Sequence, residues 1–384
     1  MKYPLLVSAI VASIISVSLA ACGSSSSPPA PSPTFTALPY AAPDFASSYA
    51  LAMSPDGRTI SGASLVSQSE TGPVIWVNGT IQVLPFMGPE TTLSRAAFVT
   101  GISPSGVLVG NQGYGDLDPL AYYYKNSRWT LIQDEAIDSV AMTAPGISND
   151  GNVIVGTASG STSPVEKPVN GGFYFDISAN RYVVISSTFT VDKDCTYDTD
   201  CLILFMGLTG DGKIAVGADV YAKDSLVVPI AYDLGGGAPP VRLALPFNYA
   251  HGEVRGVSND GTTMVGLAYD PFKPAIAVYW DSNYQVHTIG SLGPDTHASP
   301  ATAAKASSAN GSRIVGTSNG SAFIWEAGGQ IADLQDWLTA QGLGTQLKDW
   351  SLVSANAIST DGHWVAGTGI APGNYATAFQ VYLP

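Results

Sequence analysis

The sequence predicts an all-β chain, a seven-bladed β-propeller of four-stranded blades, on three observations. A short string of residues recurs seven times; the copies are about fifty residues apart; and a segment near the start supplies a strand that the last copy lacks. The clearest copy is Gly256-Val257-Ser258-Asn259-Asp260-Gly261-Thr262-Thr263-Met264-Val265-Gly266. It reads as a strand end, an Asp-Gly turn and a second short strand closed by glycine. Asp-Gly between apolar runs is a strong hairpin signal, and the turn expected from it is type I′, with positive φ at both central residues.

Further copies turn at Asp56-Gly57, Asp150-Gly151, Asp211-Gly212 and Asp361-Gly362, with variants at Ser105-Gly106 and Asn310-Gly311. The turn glycines are separated by 49, 45, 61, 49, 50 and 51 residues. A second glycine follows at Gly62, Gly110, Gly156, Gly217, Gly266, Gly316 and Gly367. Strand a leads into each turn and strand b leaves it, as in Val153-Ile154-Val155-Gly156. Strand c alternates apolar positions, as in Pro73-Val74-Ile75-Trp76, Ala277-Val278-Tyr279-Trp280 and Ala322-Phe323-Ile324-Trp325. Strand d is the outer one, for example Ile81 to Leu84 and Val241 to Leu245. The aromatic column Trp76, Tyr124, Phe175, Tyr232, Trp280 and Trp325 is expected to pack between blades.

The two ends explain each other. The seventh copy stops after strand c, and Phe35-Thr36-Ala37-Leu38-Pro39-Tyr40 matches the close of strand d elsewhere, at Leu84-Pro85-Phe86 and Leu245-Pro246-Phe247. The N-terminal strand is therefore expected to complete and close the last blade, which removes an open sheet edge.

Ahead of it, Lys2 precedes an apolar run from Leu5 to Ala21 with the shape of a secretory signal. Its end, Leu19-Ala20-Ala21-Cys22, resembles the lipobox of bacterial lipoproteins. That resemblance implies cleavage after Ala21 and acylation of Cys22, and more than one acyl chain is what stable anchoring needs. Gly23 follows where Asp would stand in a retained lipoprotein, which implies the outer membrane, with the domain facing the periplasm or the cell surface. The expected organisation is a signal over residues 1–21, a lipidated Cys22 with a Ser/Pro-rich tether over 22–33, and the propeller over 34–384.

The repeat resembles the HAF-type bacterial extracellular repeat. Ala357-Ile358-Ser359-Thr360-Asp361-Gly362 and Ala322-Phe323-Ile324-Trp325 match its pattern best, and the short helix expected at Leu334-Gln335-Asp336-Trp337-Leu338 is typical of it. The resemblance spans the mature domain and implies a surface or periplasmic protein without an established activity. Sialidase Asp boxes place the glycine one residue later. Periplasmic translocation propellers share Ser54-Pro55-Asp56-Gly57 but lack the following Val-Gly.

The formal charge of −14 argues against nucleic acid, which is bound through Lys and Arg patches, and against adhesion to anionic lipid. The turn aspartates are expected to be structural, because Asp in a turn accepts nearby backbone N–H groups. Cys195 and Cys201, close together in an exported chain, are expected to form a disulfide. Asp192, Asp194, Asp198 and Asp200 could offer oxygen to Ca²⁺, but the spacing lacks the glycine and terminal Glu of an EF-hand, so a solvated acidic loop is expected and no cofactor is required. His251, His287, His297 and His363 lie in no hydrolase or metalloprotease context.

Long, variable segments fall on the face of the b–c and d–a connections, where binding residues concentrate. Tyr114, Asp116, Asp118, Tyr221, His251, Tyr269, Asp270, His297 and Trp337 are the candidates there, aromatic platforms mixed with carboxylates. The expected function is a non-catalytic binding module for a carbohydrate or an envelope protein. The alternatives are a propeller hydrolase acting on a glycan or lactone, with a metal in the channel, and a structural subunit of an envelope assembly.

Overall fold

The computed structural model describes residues 32–88, 93–115, 119–134, 139–160, 171–185, 187–188, 201–221, 224–293 and 302–384. These residues are all-β. The first repeat supplies Ser48–Met53, Thr59–Leu65, Thr71–Val77 and Thr80–Val83, paired in sequence as antiparallel neighbours. The second supplies Arg95–Ile102, Leu108–Tyr114, Leu120–Lys125 and Arg128–Leu131, and touches the first through the single parallel pair Thr71↔Ala96. The third pairs Ser139–Ile147, Val153–Gly160, Gly171–Asp176 and Arg181–Ile185, with Gln133–Asp134 added at its inner edge. The fourth, fifth and sixth sheets begin at Cys201–Leu208, His251–Val257 and Thr302–Ser307, each with four strands. In the last sheet Ser351–Ile358, Trp364–Ala371 and Tyr375–Tyr382 are followed by Thr34–Ala37, which pairs antiparallel with Tyr375–Tyr382 from Thr34↔Tyr382 to Ala37↔Phe379. No helix among the described residues is long and apolar enough to cross a membrane.

The turns between strands a and b are tight, but they are not type I′. Only the glycine is left-handed, as at Gly57 (φ 74°), Gly151 (φ 72°) and Gly261 (φ 76°), and none of the turn aspartates has a positive φ. Gly57 N donates to the Ser54 carbonyl at 2.9 Å, so a type I turn runs into a left-handed glycine. The reason is a side-chain relay that needs the aspartate folded back. Ser54 Oγ donates to Asp56 Oδ1 (2.6 Å), Arg58 N donates to the same oxygen (3.1 Å), and Thr59 N donates to Ser54 Oγ (3.0 Å). The relay repeats at Ser148–Asp150, Thr209–Asp211, Ser258–Asp260 and Ser359–Asp361. Asn310 takes the aspartate's place beside Ser308.

The second glycine of each repeat has a different task. A Cβ on Gly156 would stand 1.8 Å from the Thr143 carbonyl oxygen; on Gly266, 2.0 Å from that of Glu253; on Gly367, 2.0 Å from that of Ser354. Strand a carries a bulge opposite this glycine in every repeat, with the register slipping between Ala50 and Ala52, Val99 and Gly101, Thr143 and Gly146, Phe205 and Gly207, Val254 and Gly256, Ala304 and Ala306, and Ala355 and Ala357. Hydrogen removes the obstacle that any side chain would place under the displaced carbonyl.

Apolar cores lie between successive sheets. Val109 and Ala121 of the second repeat pack with Ala141, Ile154 and Phe173 of the third. Leu38, Ala366 and Ala378 pack with Ala50, Ile60, Val74 and Trp76, joining the last sheet to the first. Trp76 and Trp280 are fully buried, and their indole N–H groups donate to the Pro39 and Ala244 carbonyls at 2.9 and 2.7 Å. Burying one large apolar side chain contributes roughly 1.5–3 kcal/mol, so these columns outweigh the roughly 1 kcal/mol of a single turn hydrogen bond. The helix Leu334–Leu338 is capped by Asp333, whose carboxylate accepts from Gln335 N and Asp336 N.

The relay predicts unequal costs for its two members. Ser148→Ala removes both the donor to Asp150 and the acceptor of Val153 N, and should lower unfolding stability by about 1–3 kcal/mol. Asp150→Asn should cost less, because asparagine already fills this role in the sixth repeat. The Ser148 hydroxyl, foremost, holds the Asp150 carboxyl below its ordinary value of 3.8, so its contribution is present above that pH and is lost as pH falls through the folded value. Chemical denaturation of both variants from pH 7 to pH 3 checks this, with Asp150→Asn showing the flatter acid limb.

Candidate functional site

Each bulge leaves one residue of strand a unpaired, and these residues meet. Leu51, Thr100, Pro145, Met206, Arg255, Lys305 and Asn356 line a cavity of about 530 Å³ to which the first strand of every repeat contributes. The composition is divided. Repeats one to four bring mainly apolar groups to it, among them Met53, Ile102, Ile147 and Leu208, whereas repeats five to seven bring Arg255, Lys305 and Asn356.

Lys305 Nζ donates to Ser354 Oγ (2.7 Å) and Asn356 Oδ1 (2.8 Å), and Asn356 Nδ2 donates across to the Ala50 carbonyl (2.8 Å). Burial, and then the charge of Arg255, push the Lys305 ammonium down to about 8. Arg255 Nη2 contacts Glu253 Oε1 at 2.6 Å. Among the described residues no carboxylate pairs with Lys305, and no aspartate or histidine lines the cavity. The arrangement suits an anion far better than a cation.

On the same strand as Arg255, two residues before Glu253, His251 stacks on Tyr269 across the ladder, with centroids 5.2 Å apart and planes at 22°. The His251 Nδ1 atom is buried without a hydrogen-bond partner. Burial, foremost, raises the Tyr269 phenol, and the nearby Glu253 carboxylate adds to it. The adjoining loops carry Phe247 and Phe272, 91% and 93% exposed. The two loops are tied together: Lys273 Nζ donates to the Asn248 carbonyl and lies 5.4 Å from the Tyr249 ring centroid, and Tyr249 Oη donates to the Pro274 carbonyl at 3.3 Å.

Of the residues singled out from sequence, His251, Tyr269 and Asp270 come together here. Asp270 accepts from Phe272 N (3.0 Å) and shapes the hairpin tip. Tyr114 and Tyr221 are corrections: both belong to strands longer than expected, Leu108–Tyr114 and Ile214–Tyr221, and are 8% and 3% exposed. The Tyr114 hydroxyl bonds with Tyr122 and would collide with a Cβ on Gly88, so it packs the fold instead of facing a ligand. Trp337 is half-buried against the core of the last repeats. Asp116, Asp118, His297, Cys22, Cys195 and the acidic stretch Asp192, Asp194, Asp198 and Asp200 lie outside the described residues. Cys201, which opens its strand, is buried and disulfide-bonded. No group of three or more His, Cys, Asp or Glu side chains suited to a metal occurs among the described residues.

Arg255 and Lys305 are not among the sequence candidates, nor are Phe247 and Phe272. The signal for the first pair is positional. Both stand three residues before the turn serine, at the one place in strand a where the seven repeats disagree most in chemistry.

No protein-family profile matches the chain, and no curated protein does. Solved structures do resemble it. An oligogalacturonate lyase in complex with manganese is 12% identical with a TM-score of 0.54, over 92% of this chain and 97% of that one. A second such lyase, from Vibrio parahaemolyticus, is 10% identical with a TM-score of 0.52 over the same shares. TolB from Acinetobacter baumannii is 13% identical with a TM-score of 0.46 over 86% of this chain, which spans 64% of that chain's length. At such identities the likeness to the lyases shows the fold alone, a propeller-like all-β architecture.

A lysine held near 8 is less stable charged in the folded chain than in the unfolded one, where it titrates at 10.5. Between those values the unfolded chain binds more protons, so the lysine's penalty on stability is full below pH 8 and fades as pH rises toward 10.5. Lys305→Met should therefore melt no lower than the parent at pH 7, and any advantage should shrink by pH 10. Melting both proteins across that range checks it.

Proposed function

We propose that this chain is a lipid-anchored binding module of the bacterial envelope, without catalysis, that takes a carbohydrate on the aromatic rim of its fifth repeat. The observation that carries the ligand class is the rim itself: the His251–Tyr269 stack beside Phe247 and Phe272, with polar atoms of His251 and Asp270 at hand. Aromatic faces offer sugar rings apolar contact while neighbouring polar groups orient their hydroxyls. Two phenylalanines more than nine-tenths exposed contribute nothing to the core. A metal-assisted hydrolase is disfavoured because the cavity lining gathers cations, not metal ligands.

The platform for this rim is a seven-bladed propeller closed by its N-terminal strand. Supporting closure, Thr34–Ala37 pairs with the last repeat, Thr360 N donates to the Pro55 carbonyl (2.9 Å), and Leu38 lies in the core shared by first and last repeats. The anchor rests on the sequence around Cys22, which supplies the thiol for acylation in the outer membrane, and the Cys195–Cys201 disulfide staples the long insertion before the fourth repeat.

The combined variant Phe247→Ala with Phe272→Ala should keep the parent's melting temperature and lose at least tenfold in affinity for cell-envelope polysaccharide, measured by co-sedimentation. Undiminished polysaccharide binding would contradict the proposal, and so would retention of a protein from the envelope in place of sugar. Cys22→Ser should move the chain from the membrane to the released fraction; unchanged membrane association would refute the lipid anchor.

A further inference from the structure

The cavity is a second place where a ligand fits, and its chemistry differs from that of the rim. Seven bulged positions face one volume of about 530 Å³. On a chain with a formal charge of −14, two of the seven are cations, and they come from neighbouring repeats. Asn356, from the next repeat along, adds an amide to the same side. Arg255 commits one N–H to Glu253, and a guanidinium has four more. Lys305 is held only by Ser354 and Asn356, neutral oxygens that fix its position without neutralising it. Facing this side, Leu51, Met53, Ile147, Met206 and Leu208 leave an apolar wall.

We propose that the cavity is a binding site for a small organic anion, whose carboxylate or phosphate is held by Arg255, Lys305 and Asn356 and whose apolar body lies against Leu51, Ile147 and Met206. Two cations brought together in a part-desolvated cavity repel each other and lose hydration, a cost that a bound anion offsets. A site of this kind explains why a lysine is kept where methionine would fill the space with less strain on the fold; Met206 does so in the fourth repeat. Arginine supplies a planar fork matched to carboxylate and phosphate oxygens, and lysine a compact second charge. The site is independent of the sugar-binding reading, since none of Phe247, Tyr269 and Phe272 lines it.

The test is calorimetric titration of the full chain, purified in detergent, with benzoate, phenyl phosphate and inorganic phosphate at matched ionic strength. Saturable binding of benzoate or phenyl phosphate at one site per chain is expected, at least severalfold tighter than inorganic phosphate, and the tighter of the two names the headgroup. Arg255→Gln and Lys305→Met should each weaken it tenfold or more while the melting curve shows a folded protein, and the Phe247→Ala, Phe272→Ala variant should bind as the parent does. The proposal is overturned if neither organic anion saturates, if both cation variants bind like the parent, or if the apolar body adds no affinity over inorganic phosphate.

Discussion

The architecture depends on one close approach, the carbonyl of strand a lying over the second glycine of strand b. At Gly217 a Cβ would meet the Leu204 oxygen at 1.8 Å, and the other repeats differ only by tenths of an ångström, up to 2.4 Å at Gly110. Because the glycine yields, strand a can carry an extra residue without breaking its ladder on either side. A bulge bends and twists the strand that carries it. Seven of them at equivalent positions turn the innermost strands toward a common cavity and aim one side chain from each into it.

That constraint separates what must stay fixed from what is free to vary. The turn relay, the two glycines and the buried aromatic of strand c hold the sheet and pack it against its neighbour. The bulged position does neither, so leucine, threonine, proline, methionine, arginine, lysine and asparagine all occur there. Grouping the polar choices in three successive repeats gives the cavity two chemically different sides. The rim follows the same logic one layer out, since Phe247 and Phe272 stand on connections that the ladder does not constrain.

Much of this was legible in the sequence, for physical reasons. Strand alternation and the Ser-x-Asp-Gly turn are local codes, so the repeat boundaries and the structural role of Asp56, Asp150, Asp211 and Asp361 could be read directly. The match of Leu38-Pro39 to Leu84-Pro85 located the strand that pairs with Tyr375–Tyr382. The turn type was misjudged because Asp-Gly alone does not reveal the serine two residues earlier, whose hydroxyl holds the aspartate out of the left-handed region. Tyr114 and Tyr221 were misplaced because a strand that runs on past its glycine looks, residue by residue, like the start of a loop. Arg255 and Lys305 went unseen for a different reason: a bulge is a relation between two strands, and a charge in strand a reads as solvent-facing until the register is known.

The account turns on whether the glycine opposite the bulge is required, and Gly266→Ala asks this directly. Its control is Gly235→Ala, where the added Cβ would come no closer than 3.6 Å to another residue's atoms. The account predicts that Gly266→Ala lowers unfolding stability by roughly 1–3 kcal/mol or more, as forced overpacking does, while Gly235→Ala stays near the parent. Superimposable melting curves for the parent and both variants would contradict it.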